Sequence, residues 1–401
     1  MFWSQIPSFA NMTDTYRWRW PALAALLLAE AMNLFDSTVM PIAAPAVRAS
    51  LPMSDTALQW LTNGYTLPFG LLLIAGGRLG DVLGRRRVFV IGMLVFVLCS
   101  VLCAWAPHVS VLLAARAVQG ASAALIIPQT FGLIRAMFAG NEVAKALGTI
   151  GPVMALSALC GPILGGLLTE AFGWQSVFLV NVPLGLAVLA AAPLILEDRA
   201  AGRPQLGGLL RGRVFPASLA GSLLFFAVMN GLVFVLVLFL QLREGRTPAG
   251  AALTLLPWSV GLAIGSWVTG SVLVPRFGPR VMRAGLVLVL VGLAGIALSF
   301  TSVPLLVTGI GLGMFTVPFF GNALSVAAPD ETGWASGLLN AVQQLGATVG
   351  VALLSAVFFR FGTTAAVVTS MVLISAVLAL TVVMIRGTAG SEGVRPGGSA
   401  S

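Results

Sequence analysis

Twelve apolar runs, each long enough to cross a lipid bilayer, leave this chain of 401 residues little choice but a membrane bundle. A helix needs about 20 residues to span the roughly 30 Å hydrocarbon core. Runs of that kind lie near 21–43, 58–76, 88–106, 110–132, 146–169 and 175–196. After a hydrophilic stretch they resume near 214–240, 250–274, 282–300, 303–327, 335–359 and 363–385. Hydrophobic residues make up 58% of the chain and charged residues only 9%, and no soluble fold of this length hides so much apolar surface. The expected fold class is therefore an all-α integral membrane protein of twelve transmembrane helices.

The basic residues test the count. With the N-terminus inside, seventeen of them fall in cytoplasmic segments, while the outer loops hold only Arg48, Arg243, Arg246 and Arg360. That bias places both termini in the cytoplasm. The net charge of +9 is thus a topology signal, and no nucleic-acid partner is expected. Residues 1–20 contain Arg17 and Arg19 but no small-residue cleavage site, so they read as a cytoplasmic tail; the start is left open between Met1 and Met12. Cys99, Cys103 and Cys160 all lie inside apolar runs and are expected to pack there, with no metal site. His108 falls in an outer turn.

The segment 197–213 (EDRAAGRPQLGGLLRGR) is the one substantial polar linker, and it divides the runs six and six. The expected halves are 21–196 and 214–385, followed by a disordered tail at 386–401. The turn Gly77-Arg-Leu-Gly-Asp81-Val-Leu-Gly84-Arg85-Arg86-Arg87 has a weaker echo at 271–280, where Gly278 matches Gly84 and Pro275 stands in place of Asp81. Two related six-helix halves are the architecture of many secondary transporters.

The motifs narrow this. Gly77-x-Leu-x-Asp81-x-x-Gly84-Arg85-Arg86 resembles the signature loop of the major facilitator superfamily, and the likeness covers essentially the whole chain. Leu34-Phe-Asp36-Ser-Thr38-Val-Met-Pro41 and Arg116-Ala-Val-Gln119-Gly120 resemble the helix-1 and helix-4 motifs of its drug:proton antiporters. Ser157-x-x-x-Gly161-Pro162-x-x-Gly165-Gly166 resembles their helix-5 motif, with Ser157 where glycine is usual. Trp174, Phe178, Asn181-x-Pro183 and Leu255-Leu256-Pro257 are similar to the branch usually built from fourteen helices. This chain departs from that branch: the linker stands where its central helix pair would be, and Gln175 replaces a common arginine.

Three ionisable residues lie inside spans: Glu30 and Asp36 on the first and Arg116 on the fourth. A charge at mid-membrane costs about 2.5–3.5 kcal/mol on insertion scales, so such groups face a watery cavity or one another. Glu30 and Asp36 are six residues apart, about 9 Å along a helix axis, and cannot share one microsite. Asp36 has two readings: a proton carrier, or a fixed ion pair with Arg116 that stitches two spans. Arg116 either tunes the carboxyls or neutralises one of them. For Asp81 and its glycines and arginines the resemblance implies a latch at the cytoplasmic gate. For Gly161 and Gly165 it implies a seal between halves, although small residues every fourth position also serve plain close packing. Polar residues that could line a cavity are Asn33, Asn63, Tyr65, Gln119, Gln129, Asn230, Asn322, Asn340 and Gln344.

The sequence points to a monomeric secondary transporter in the bacterial cytoplasmic membrane. It would exchange protons for small amphipathic or lipophilic compounds, such as drugs, antibiotics or a self-made metabolite. No cofactor is expected, because the proton gradient drives the cycle. An uptake symporter or facilitator of the same fold is the alternative. An enzyme is not expected, since no HExxH, Cys/His cluster or nucleophile–base pair sits at depth.

Overall fold

The computed structural model describes residues 17–138, 142, 146, 149–196, 212–325 and 332–392, and among these residues it contains helices and no strands. The chain divides into two compact units, residues 1–202 with 247–249 and residues 203–246 with 250–401. Most of the expected linker, 197–211, lies outside the described residues.

The first unit holds α1 (Arg19–Ser50), α2 (Asp55–Leu83), α3 (Arg85–Ala104), α4 (Val109–Met137), α5 (Ile150–Phe172) and α6 (Ser176–Leu194). The helices outrun the apolar runs that announce them, because helix ends continue into the headgroup region on polar residues. The turn from α1 to α2 shows how. Ser54 Oγ accepts from the Ala57 amide at 3.2 Å, Asp55 occupies the first turn of α2, and Arg48 reaches back to Asp55 at 2.6 Å. A hydroxyl cap and an acid at a helix N-terminus both satisfy exposed backbone N–H groups.

The polar stretch at 77–87, expected as a loop, is almost entirely helical. Gly77 to Leu83 are the last turns of α2, Arg85 begins α3, and Gly84 alone makes the corner with φ +96°. Only glycine adopts that backbone freely, so the motif's third glycine is the turn itself.

The second unit holds α7 (Val214–Leu238), α8 (Pro248–Val268), α9 (Val281–Leu298), α10 (Ser302–Leu324), α11 (Thr332–Phe361) and α12 (Thr363–Glu392). Wider π-type turns extend α7 through Phe239–Arg243 and α8 through Thr269–Leu273. The helical stretch from Pro248 to Leu298 would be too long for one span, and it is broken at Gly278, φ +58°. Gly362 makes the break between α11 and α12 in the same way, at φ +88°. Among the described residues each of the twelve expected spans thus has its helix. α12 runs past Ile385 to Glu392, into the segment expected to be a disordered tail, and residues 393–401 lie outside the described residues.

Packing repeats between the units. In the first, α1 packs on α5 and α6, α4 on α2 and α3, and α3 on α6. In the second, α7 packs on α11 and α12, α10 on α9, and α9 on α12; Gly261 and Gly265 of α8 meet the backbone of α10 at Leu306 and Ile310. Large apolar side chains cover the outside of both units, with Trp105 at 70%, Trp267 at 74% and Leu298 at 88% exposure. Polar residues gather inside. This inverted arrangement suits a bilayer, and the protein is a multi-pass membrane protein.

Helix pairs touch backbone to backbone. A Cβ built on Gly76 of α2 would lie 2.0 Å from the Ala124 carbonyl oxygen of α4. Gly76→Val is expected to cost at least about 1–3 kcal/mol through overpacking, seen as a lower unfolding midpoint of the detergent-solubilised protein. Gly321→Ala on α10, where a Cβ meets nothing within 4 Å, is the control and should leave the midpoint unchanged or raise it.

Candidate functional site

Five of the six helices of the first unit converge on one buried cluster. Asp36 of α1 and Arg116 of α4 are each 1% exposed, and Arg116 Nη1 donates to Asp36 Oδ2 at 2.5 Å. The other carboxylate oxygen, Oδ1, accepts from Asn181 Nδ2 of α6 at 2.9 Å and from Gln119 Nε2 of α4 at 3.3 Å. Gln119 Nε2 also donates to Ser100 Oγ of α3 at 2.9 Å, and Gln119 Oε1 accepts from Arg116 Nη1 at 2.9 Å. From α2 the Leu61 carbonyl accepts from Arg116 Nε at 3.2 Å. The guanidinium lies 4.5 Å from the Tyr65 ring centre and 5.7 Å from that of Phe178, within cation–π range.

The helix-4 motif now has a job for each conserved-type position. Arg116 carries the charge, Gln119 links it to Asp36 and Ser100, and Gly120 lets the helices close. A Cβ on Gly120 would sit 2.1 Å from the Tyr65 carbonyl oxygen. The helix-5 ridge presses on the turn of α1 just after Asp36. Cβ atoms on Gly161 and Gly165 would fall 2.2 Å from Thr38 Oγ1 and 1.9 Å from Val39 Cγ2. Ser157 bonds only to its own helix at the Val153 carbonyl, 2.9 Å. Pro162 lies mid-helix in α5, and Gly166 follows Gly165 on the same helix.

Glu30 belongs to a different microsite. It is 4% exposed, lies beside the Thr130 hydroxyl of α4, and has one carboxyl oxygen without a partner among the described residues. Between the two acids on α1, Asn33 donates to the Tyr65 hydroxyl at 2.7 Å. Asn63 is buried with its Oδ1 unpartnered, as are Arg116 Nη2 and Asn181 Oδ1.

The residues of the 77–87 motif sit together where α2 turns into α3. Arg85 reaches Asp81 at 3.3 Å across the Gly84 corner, and its side chain lies over Gly132 of α4, whose Cβ would come 2.6 Å from Arg85 Cδ. Gly77 faces Pro128, Gly80 faces the Gln129 amide, and Gln129 Nε2 donates to the Gly76 carbonyl at 2.8 Å. Gln129 therefore clamps α2 to α4. Arg86 is half-buried and Arg87 exposed.

In the second unit Asn230 bonds back to its own Phe226 carbonyl at 3.0 Å, and Asn322 of α10 reaches the Met384 carbonyl of α12 at 3.5 Å. Asn340 and Gln344 are half-buried one turn apart on α11. No charged side chain is buried among the described residues of this unit. Among the described residues no group of three or more His, Cys, Asp or Glu gathers as a metal site. Asn181, Ser100, Phe178 and Thr130 were not foreseen as site residues. Asn181 did carry a signal, as the one amide in an otherwise apolar span.

A bundle of two six-helix units with an acid–arginine cluster buried in one of them has the form of a secondary transporter. The chain belongs to the major facilitator superfamily, whose profile matches residues 26–351. It is 40% identical to the probable actinorhodin transporter of Streptomyces coelicolor, over 86% of this chain and 73% of that protein. It is 32% identical to the puromycin resistance protein of Streptomyces alboniger, over 84% of this chain and 82% of that one. The first of these alignments spans 422 residues, more than this chain contains, so that relative carries internal residues this chain lacks. A solved bacterial homologue of the human lysosomal transporter Spinster shares the fold, with TM-score 0.72 at 18% identity over 93% of this chain and 96% of that one.

Removing one member of the buried pair strands the other. Arg116→Gln is expected to destabilise the protein by about 3–5 kcal/mol. The charge-balanced double variant Asp36→Asn/Arg116→Gln should recover much of that loss, and thermal unfolding of the purified single and double variants checks it.

Proposed function

We propose that the protein exports small amphipathic or lipophilic compounds, antibiotics or a self-made metabolite among them, across the bacterial cytoplasmic membrane in exchange for protons. The buried cluster built on Asp36 and Arg116, with Glu30 nearby, carries this reading: ionisable groups at such depth are retained where charge movement is the work. The printed descriptions of the relatives, an actinorhodin transporter and a puromycin resistance protein, support the export direction and the substrate class. So does the antiporter-type ridge on α5. The electrical part of the gradient offers about 2.3 kcal/mol per charge per 100 mV.

In this reading both termini are cytoplasmic, the protein of two halves, 21–196 and 214–385, works by alternating access, and it does so as a monomer. Gly77, Asp81, Gly84, Arg85 and Arg86 hold the cytoplasmic gate, and Asn33, Asn63, Tyr65, Asn230, Asn322, Asn340 and Gln344 supply polar contacts along the route.

Inverted membrane vesicles test the proposal, with puromycin or actinorhodin as probe. An acidic vesicle interior should drive probe accumulation, and probe should speed collapse of the pH gradient. Accumulation driven only by an alkaline interior would mean symport. Asp36→Asn and Glu30→Gln are each expected to bring gradient-driven accumulation to background; if both still exchange protons for probe, the coupling cluster lies elsewhere.

A further inference from the structure

The two buried acids of α1 have different surroundings, and the difference divides their labour. We propose that Glu30 carries the exchanged proton, while Asp36 stays ionised as the standing counter-ion of Arg116. This rests on the proton-exchange reading above.

Each group bonded to Asp36 is a donor. Arg116 Nη1, Asn181 Nδ2 and Gln119 Nε2 all present N–H to its two oxygens. A proton on Asp36 would displace one of these bonds and would leave the Arg116 guanidinium, which does not deprotonate in proteins, buried without its counter-charge. The arrangement is satisfied only by the anion.

Glu30 is nearly as buried, yet among the described residues it makes no ion pair and one of its oxygens has no hydrogen-bond partner. The polar group beside it is the Thr130 hydroxyl, whose O–H also points at its own Ile126 carbonyl at 3.5 Å; a hydroxyl can donate to a carboxylate or accept from an acid. The elements packed on α1 bring little charge. α5 has none before Glu170 and α6 has none at all. Among the described residues, Tyr65 from α2 and Arg116 from α4 are the titratable and charged groups in contact with this stretch, Tyr65 through Asn33 and Arg116 through Asp36, and α5 adds the half-buried thiol of Cys160. Arg135, further along α4, has its side chain outside the described residues.

The two sites are in contact. Asn33 sits one turn from each acid and holds the Tyr65 hydroxyl, and the Tyr65 ring lies on Arg116. Tyr65 is in the electric field of Glu30, Asp36 and Arg116 together. A charge appearing on Glu30 is therefore felt at the pair that ties five helices. The bookkeeping is a single O–H bond: the Glu30 carboxylate takes a proton from water on the outer side, and the acid returns it to water on the inner side.

Infrared difference spectroscopy of the full chain in lipid vesicles, scanned across pH, reads the carbonyl stretch of a protonated carboxylic acid. A pH-dependent band is expected in the wild type. It should vanish in Glu30→Gln, shift but persist in Glu30→Asp, and survive in the charge-balanced Asp36→Asn/Arg116→Gln variant. A band that survives Glu30→Gln and vanishes with Asp36, or a wild type with no titrating band, overturns the assignment. Proton exchange by Glu30→Gln in the vesicle assay also overturns it. A Glu30 band in a wild type that shows no gradient-driven transport refutes the export reading instead, because the spectrum reports protonation whether or not substrate moves.

Discussion

The ion pair between Asp36 and Arg116 is the constraint around which the first unit is organised. Two opposite charges buried at 1% exposure are tolerable only where neighbouring groups meet most of their bonding capacity, since desolvation can exceed the Coulombic gain; here Arg116 Nη2 is left without a hydrogen-bond partner. Each helix that touches the pair supplies one part: a carbonyl and an aromatic face from α2, a hydroxyl from α3, an amide from α4 itself, and an amide and a ring from α6. α5 makes no bond to the pair but fixes its position, because Gly161 and Gly165 seat against Thr38 and Val39. A shift of any one helix opens a gap beside a buried charge. The pair thus demands a definite arrangement of helices while adding little to net stability.

The corner at Gly84 solves the opposite problem. Asp81 near the end of α2 and Arg85 to Arg87 at the start of α3 are each on the wrong helix terminus for the backbone dipole, a penalty of about 0.3–1 kcal/mol per charge. Arg85 and Asp81 neutralise one another across Gly84 at 3.3 Å. The corner can be a single residue because Gly76, Gly80 and Gly132 let α2, the Gln129 amide and the Arg85 side chain pack without gaps.

Legibility in the sequence followed the solvent. Lipid forces every span to be an apolar run of fixed minimum length, so the helix count and the division of the runs could be read directly. Charges in such runs are expensive, so Asp36, Glu30 and Arg116 stood out. Uncharged polar residues are cheap enough to occur anywhere, and their partners depend on how helices face one another. Nothing local distinguishes Asn181, which completes the Asp36 shell, from Asn230, which bonds only to its own helix. Gln129 shows the same ambiguity: an amide in a span can line a cavity or bond a neighbouring helix, and here its N–H donates to the Gly76 carbonyl one helix away. Helix ends were misjudged wherever polar residues continued the helix, as at Leu83 and Glu392.

The two units share a scheme of helix pairs but not a chemistry. In the first, the first and fourth helices are joined by an arginine and a carboxylate. In the second, the corresponding helices α7 and α10 meet through Phe225 and Phe315, ring centres 4.3 Å apart, with Phe319 stacked beyond at 5.0 Å. An aromatic pair of this kind contributes about 0.5–1.5 kcal/mol beyond its buried area and asks nothing of its neighbours but shape. The backbone frame is kept in both units by the same device, glycines that admit a facing carbonyl: Gly76 and Gly120 in one, Gly231 and Gly350 in the other. The fold therefore does not require the charged cluster. Among the described residues the charged cluster occurs in one unit only, and there it sets how five helices meet.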